Sequence, residues 1–158
     1  MLVHRFPDAT IYSFEPVPAA FAELQQNTSR FAGVECVNVA LGDALGEATI
    51  TTDRQGQNTL MPGVSTQVKS TVDVNTVDAF CADRKTDRID FLKIDTEGFE
   101  APVLRESEEI LSGGRVDFVL AECDFIRRWY EPHGDFFEIS RSPCPAQVPR
   151  GRSLQRRG

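Results

Sequence analysis

Four carboxylic acids follow short apolar stretches of the sequence, each at the point where a predicted strand ends. They are Glu15, Asp43, Asp95 and Glu122. In open α/β sheets the carboxyl ends of the strands form the crevice where ligands bind, so acids at these positions face a site. Each acid could instead only cap a helix or end a strand, because carboxylates stabilise the amino ends of helices.

The types and order of these acids suit a nucleotide-like ligand. An acid after the second strand of a doubly wound sheet can accept hydrogen bonds from both hydroxyls of a ribose, and Glu15 fits that role. Asp43 could accept a hydrogen bond from an adenine amino group while Leu41 packs on the ring. Asp95 would then face the part of the ligand nearest to the chemistry.

The segment 89–100 is the centre of the predicted fold. An apolar run from Ile89 to Ile94 ends in Asp95 and Glu97, and Gly98 breaks the chain before a helical pattern. This order predicts a strand, an acidic turn and a helix. Lys93, in the middle of the strand, could pair with an acid on the face of the sheet.

Strands and helices alternate along the rest of the chain, as expected for an α/β domain. β-branched and aromatic residues predict strands over 9–14, 34–41 and 116–122, and helical spacing predicts a helix that ends at Arg30. Segments 46–53 and 70–74 predict a β-ribbon inserted around a polar loop. Asn75 is the predicted N-cap of the following helix, and 125–130 and 135–139 are predicted helical pieces.

Length and charge indicate one folded domain and a separate tail. The chain has 158 residues, of which 41% are hydrophobic, enough for one real core. Residues 1–140 carry 12 basic and 24 acidic side chains, whereas residues 141–158 carry five Arg and no acid. We expect a domain over 1–140 and a disordered Arg- and Pro-rich tail over 141–158. The acidic domain argues against a nucleic-acid partner, because phosphate contacts need clustered Lys and Arg.

The remaining composition excludes several classes. Four widely spaced Cys and two His indicate neither a metal site nor a disulfide framework. No apolar run is long enough to span a membrane, and the first residues lack the apolar centre of a signal peptide. We therefore expect a cytoplasmic protein without a membrane partner.

Four segments, in order and spacing, resemble the FkbM-type S-adenosylmethionine-dependent methyltransferases. These are YSFEPVP at 12–18, VNVALGD at 37–43, FLKIDTEGFE at 91–100 and FVLAECDF at 118–125. The first and third are the specific parts, because many small apolar strands end like the second. The resemblance covers roughly residues 5–140.

The resemblance implies a Rossmann-like class I methyltransferase sheet and methyl transfer from S-adenosylmethionine to an oxygen of a sugar, a polyketide or a similar small metabolite. Glu15 would bind the ribose, Leu41 to Asp43 the adenine, and Asp95 the methionine end or the acceptor. Asp95 and Glu97 are the candidate bases for a hydroxyl acceptor. Glu97 could instead shape the turn and cap the helix.

One part of the family pattern has no counterpart here. The family's first strand and glycine-rich turn, which resemble DVGANxG, would precede Glu15, and no G-x-G is found before that residue. The strands that normally complete the sheet are also unrecognisable after Ser140. We therefore expect an incomplete methyltransferase sheet, lacking its first strand and its last strands.

Three alternatives remain open from the sequence. A fragment of an NAD-dependent dehydrogenase would also carry an acid after the second strand. A non-catalytic remnant could self-associate through unpaired strand edges. A nucleic-acid methyltransferase would need a basic, aromatic-lined channel, for which only the tail and residues 127–130 are candidates.

Overall fold

The computed structural model describes residues 2–52, 58–59, 68–96 and 98–122. This part of the chain contains a short 3-10 turn, eight strands and four helices. In order they are the 3-10 turn Leu2–His4, β1 Ile11–Phe14, α1 Pro18–Thr28, β2 Val34–Val37, β3 Ala40–Leu41, β4 Gly46–Thr52, β5 Asn58–Thr59, β6 Val68–Asn75, α2 Val77–Arg84, β7 Ile89–Ile94, α3 Glu100–Arg105, α4 Glu108–Ser112 and β8 Val116–Ala121. The tail, Glu97, Asp53 and most of the loop between β4 and β6, and the helices predicted after Glu122 lie outside the described residues.

The first unit is a strand, a helix and a parallel strand. Pro18 occupies the first turn of α1, where the missing N–H of proline has no helical partner to lose. The helix ends at Thr28, whose buried hydroxyl donates to the carbonyl oxygen of Leu24 at 2.7 Å. The chain then returns as β2, which pairs in parallel with β1 from Ile11 opposite Val34. The carboxyl ends of both strands therefore lie at one edge.

The second unit carries the hydrophobic core. β7 and β8 pair in parallel, and α3 and α4 connect them. Leu92 and Ile94 of β7 and Val116 of β8 are buried together with residues of these helices. The core consists of Val77, Cys81, Leu92, Ile94, Val103, Leu104, Ile110, Leu111 and Val116. The predicted strand, acidic turn and helix are thus found in the structure as β7, the following turn and α3.

Helix α2 joins the two units. Its Phe80 ring makes edge-to-face contacts with Tyr12 and Phe14 of β1, at centroid distances of 5.0 and 4.8 Å. Val77 and Cys81, also on α2, lie in the core formed with β7. The same helix therefore packs on both strand pairs.

The predicted N-cap of α2 was wrong by one residue. Thr76, not Asn75, caps the helix, since its side-chain oxygen accepts a hydrogen bond from the backbone N–H of Ala79. Asn75 is the last residue of β6, and its side-chain oxygen accepts from the N–H of Thr76. The pairing of β6 extends one residue further than the apolar pattern indicates.

The predicted β-ribbon is confirmed. β4 pairs antiparallel with β6 from Gly46 opposite Val74 to Thr52 opposite Val68. The strand predicted over 34–41 is divided, however: β2 pairs with β1, whereas β3 pairs in parallel with β6. The division lies at Asn38, whose side-chain amide donates to the backbone oxygens of Glu15 and Pro16.

The described strands form three sheets, ordered β1-β2, β3-β6-β4-β5 and β7-β8. The mixed α/β class is therefore confirmed. One continuous Rossmann-like sheet, and its incompleteness, stay predictions, because no described strand joins β1 to β7. Across the ranges given above, no helix combines the length and apolar character needed to cross a membrane.

Candidate active site

The carboxyl ends of β7 and β8 bring together three ionisable side chains. The register places Ile94 opposite Ala121, and the N–H of Glu122 donates to the carbonyl oxygen of Ile94 at 3.1 Å. Asp95 and Glu122 are therefore neighbours at the end of the strand pair. The Lys93 ammonium lies 2.5 Å from Oδ2 of Asp95, which confirms that this lysine pairs with an acid on the sheet.

The neighbours of Asp95 in this cluster shift its pKa. The hydrogen bond from Lys93 holds the pKa of Asp95 below its usual value, and a side-chain hydrogen bond with Glu122 acts in the same direction. Partial burial of Asp95 opposes both effects. Because 41% of the Asp95 side chain is exposed, a ligand can reach this anionic group. A lowered pKa keeps the carboxylate ionised to a lower pH and makes it a weaker base.

The turn after Asp95 is held by an acid that the sequence analysis did not single out. Glu100, in the first turn of α3, is only 3% exposed. Its carboxylate accepts hydrogen bonds from Thr96 and Gly98. The E-G-x-E spacing was visible in the sequence, but an acid in a first helical turn usually stays in solvent and favours the helix dipole.

Glu15 lies at the carboxyl end of β1, as predicted. Its Oε1 atom accepts a hydrogen bond from the backbone N–H of Val17 at 2.8 Å, just before α1 begins. The side chain of Asn38 holds the backbone of the same loop. Glu15 thus holds the residue that precedes α1, and its half-buried carboxylate still has further acceptor positions, because a carboxylate offers about four.

The Leu41 to Asp43 turn lies beside β6. Leu41 is half-buried against the core, whereas Asp43 is exposed. Gly42 is buried, its N–H donates to the carbonyl oxygen of Asn75, and a Cβ atom at this position would lie 2.6 Å from Cγ1 of Val74. The glycine of this motif is therefore explained by its close contact with β6.

The structure brings some of the predicted site residues together. Asp95 joins Lys93 and Glu122 in one cluster. Glu15 is held separately by the loop that contains Asn38, and Asp43 lies beside the ribbon. Glu97 lies outside the described residues. Of the side chains that the structure describes, no group of three or more His, Cys, Asp or Glu has the arrangement of a metal site.

A comparison of the sequence with models of protein families assigns the chain to a family. The model of the Methyltransferase FkbM domain matches residues 2–141. The chain belongs to the FkbM methyltransferase domain family. The match spans both strand pairs and the turn after Asp95, and it supports a methyltransferase in general.

Other comparisons add no second assignment to the FkbM domain. Searches of curated proteins and of solved structures each gave no significant match. The resemblance of the four sequence segments to this family is thus confirmed by the family model.

Proposed function

We propose that this FkbM domain is an S-adenosylmethionine-dependent methyltransferase that acts on an oxygen of a small metabolite such as a sugar or a polyketide. The observation that carries the proposal is the anionic, partly exposed Asp95 at the carboxyl end of β7. In open α/β sheets this edge is where ligands bind. Family membership supplies the reaction class.

The side chains at the strand ends suit the groups of this cofactor. S-adenosylmethionine carries a ribose diol, an adenine amino group, an ammonium and a sulfonium. Glu15 would accept hydrogen bonds from the diol with the carboxylate positions that Val17 does not use. Asp43, with Leu41, would contact the adenine, and Asp95 would attract the cationic methionine end.

Bound S-adenosylmethionine would supply an electrophilic methyl group. The protein has then to orient the acceptor oxygen, and orientation is a large part of the catalysis of a two-substrate reaction. Asp95 would accept a hydrogen bond from the acceptor hydroxyl or hold the cationic end of the cofactor. Because its pKa is lowered, orientation suits it better than proton removal. Glu97 stays the second candidate base.

Calorimetry on the full chain tests this proposal and separates it from the dehydrogenase alternative. S-adenosylmethionine and its demethylated product S-adenosylhomocysteine should both bind, whereas NAD should not. Binding of NAD without binding of either methyl-donor compound would overturn the proposal. So would a folded chain that binds none of the three.

A second candidate is a non-catalytic interaction module of the same fold. The observation in its favour is the exposed apolar face of the second strand pair. Phe118 is 69% exposed, Leu120 52% and Phe91 43%. An apolar surface of this kind is typical of a protein contact. Such a module would associate with another chain and would show no affinity for S-adenosylmethionine.

A further inference from the structure

The turn between β7 and α3 depends on one buried acid. Glu100 is 3% exposed, and it is the only charged residue among the buried residues of the described part of the chain. A carboxylate removed from water costs several kcal/mol unless its oxygens are well paired. The partners of Glu100 therefore indicate why an acid is kept there.

The Glu100 carboxylate accepts its hydrogen bonds within the described residues from the turn before it. Its Oε1 accepts from the N–H of Thr96 at 2.7 Å and from the Thr96 hydroxyl at 3.1 Å. The N–H of Gly98 lies 3.1 Å from Oε2 and 3.3 Å from Oε1. One carboxylate thus binds the backbone on both sides of position 97.

Hydrogen bonds from the turn, and not an ion pair, satisfy the Glu100 carboxylate in the described part of the chain. Across the described ranges, no Lys or Arg lies within ion-pair distance of Glu100. Gly98 has a φ of 106°, a backbone conformation that other residues rarely adopt. The turn therefore follows a path that needs both a glycine and a fixed acceptor for its N–H groups.

This turn follows directly after Asp95, the residue on which the proposed function depends. Asp95 directly precedes Thr96, whose backbone and side chain are both bound by Glu100. Asp95 must also stay within reach of Lys93, at 2.5 Å, and of Glu122. A turn free to move would separate these charged groups.

We propose that Glu100 is a positioning residue, which fixes the backbone at Thr96 and Gly98 and thereby holds Asp95 at the proposed cofactor site. This inference rests on the proposed methyltransferase function for its catalytic meaning. Its structural part stands on the hydrogen bonds alone. Glu100 itself touches neither cofactor nor acceptor.

The test compares the wild-type chain with Glu100→Gln, which keeps the size of the side chain. Its amide has one acceptor oxygen and places an NH₂ donor where the carboxylate accepted from the turn. We expect amide hydrogen exchange at Thr96 or Gly98 to accelerate at least about tenfold, because a lost charge-assisted hydrogen bond corresponds to that range. The pKa of Asp95, followed by NMR, should rise as its contact with Lys93 loosens.

Two further variants separate positioning from general stability. Glu106→Gln changes an exposed glutamate at the end of α3 and should leave both readouts unchanged. Glu100→Asp keeps the carboxylate and should restore part of the exchange protection. Unchanged exchange and an unchanged Asp95 pKa in Glu100→Gln would overturn the inference. If Glu100→Gln does not fold, rapid exchange at Gly98 in the wild-type chain would overturn it equally, and strong protection there would support it.

The outcome for the inference is separate from the outcome for the proposed function. Exchange and titration need no cofactor. A loosened turn in Glu100→Gln, together with a wild-type chain that does not bind S-adenosylmethionine, would keep the positioning role and refute the function. If the wild type binds S-adenosylmethionine, and Glu100→Gln binds it equally well with unchanged amide exchange in the turn, the function stands and the positioning role is refuted.

Discussion

Lys93 is the largest cause of the lowered pKa of Asp95. Asp95 directly follows β7 and lies two residues after Lys93, so both side chains project to the same side, because side chains alternate along a strand. Their ion pair lowers the pKa of Asp95, and Glu122 adds to the effect from the neighbouring strand. The carboxylate therefore stays ionised at a lower pH than an ordinary aspartate.

Replacing Lys93 with Met should raise the pKa of Asp95, since the largest cause of its lowering is removed. NMR titration of the Asp95 carboxyl carbon measures this directly. Lys69→Met is the matched control, because Lys69 is an exposed lysine on β6. An Asp95 pKa that is the same in Lys93→Met and in the wild type would contradict the assignment.

The same pair makes a small contribution to stability that depends on pH. Because the pKa of Asp95 is lowered in the folded state, the contribution is present above its unfolded value and is lost as the pH falls through the folded value. The Lys93 and Asp95 side chains are 52% and 41% exposed. Solvent screening therefore limits the effect to at most about 1 kcal/mol.

The pairing of Lys93 with an acid could be predicted because Lys93 and Asp95 lie in one short segment. The neighbourhood of Asp95 and Glu122 depends on the register of β7 against β8, which a local pattern does not contain. The burial of Glu100 depends on the path of the turn. The contact between Asp95 and Glu122 and the burial of Glu100 were therefore missed.

Among the elements, α2 connects the two strand pairs. Besides its contacts with β1 and the core, its Asp78 carboxylate accepts hydrogen bonds from the N–H groups of Glu109 and Ile110 at 2.8 and 3.0 Å. These two N–H groups belong to the first turn of α4, where Ser107 gives no side-chain cap. Asp78, on α2, thus caps the first turn of α4.

Asp78→Ala should lower the free energy of unfolding by about 1–2 kcal/mol, because a helix cap with two hydrogen bonds is lost. Urea denaturation followed by circular dichroism measures the difference. Asp83→Ala, on an exposed part of the same helix, should change it by less than about 0.5 kcal/mol. Equal losses in both variants would show that Asp78 has no special role in joining α2 to α4.

Element boundaries followed the sequence where side-chain patterns are strong. The antiparallel ribbon and the strand at Ile89 were predicted by alternation and by the acidic turn, and both are confirmed. The break at Asn38 was missed because β2 and β3 form one continuous apolar run in the sequence. The different pairings of β2 and β3, and the side-chain hydrogen bonds of Asn38 with the loop after β1, show where the chain changes sheets.

At the scale of the whole molecule, the two faces of the second strand pair differ. One face carries the core, whereas Phe91, Phe118 and Leu120 are exposed on β7 and β8. β7 pairs only with β8 among the described strands, so its other edge lacks a described partner strand. A strand edge with unpaired N–H and C=O groups, next to an exposed apolar face, favours pairing with a strand of another chain.

We therefore expect the full chain to self-associate with a second copy through this region. Sedimentation velocity over a range of concentrations should show a shift from monomer to larger species. Phe118→Gln combined with Leu120→Gln should weaken the shift, whereas Leu45→Gln, at an exposed leucine before the ribbon, should not. A wild-type chain that stays monomeric at all concentrations would contradict this expectation.

S-adenosylmethionine binding tests the central claim most directly, when measured by calorimetry on the full chain and on Glu15→Gln and Asp95→Asn. Glu15→Gln can still accept from the N–H of Val17, so the hydrogen bond before α1 is kept while the ribose loses the charged acceptor. We expect the wild type to bind and each variant to bind at least about tenfold more weakly, as expected for a lost hydrogen bond to a charged group. The exposed Glu23→Gln on α1 should bind like the wild type. Equal affinity in all four proteins, or a folded wild type that does not bind, would contradict the assignment of the strand-end carboxylates to a methyl-donor site.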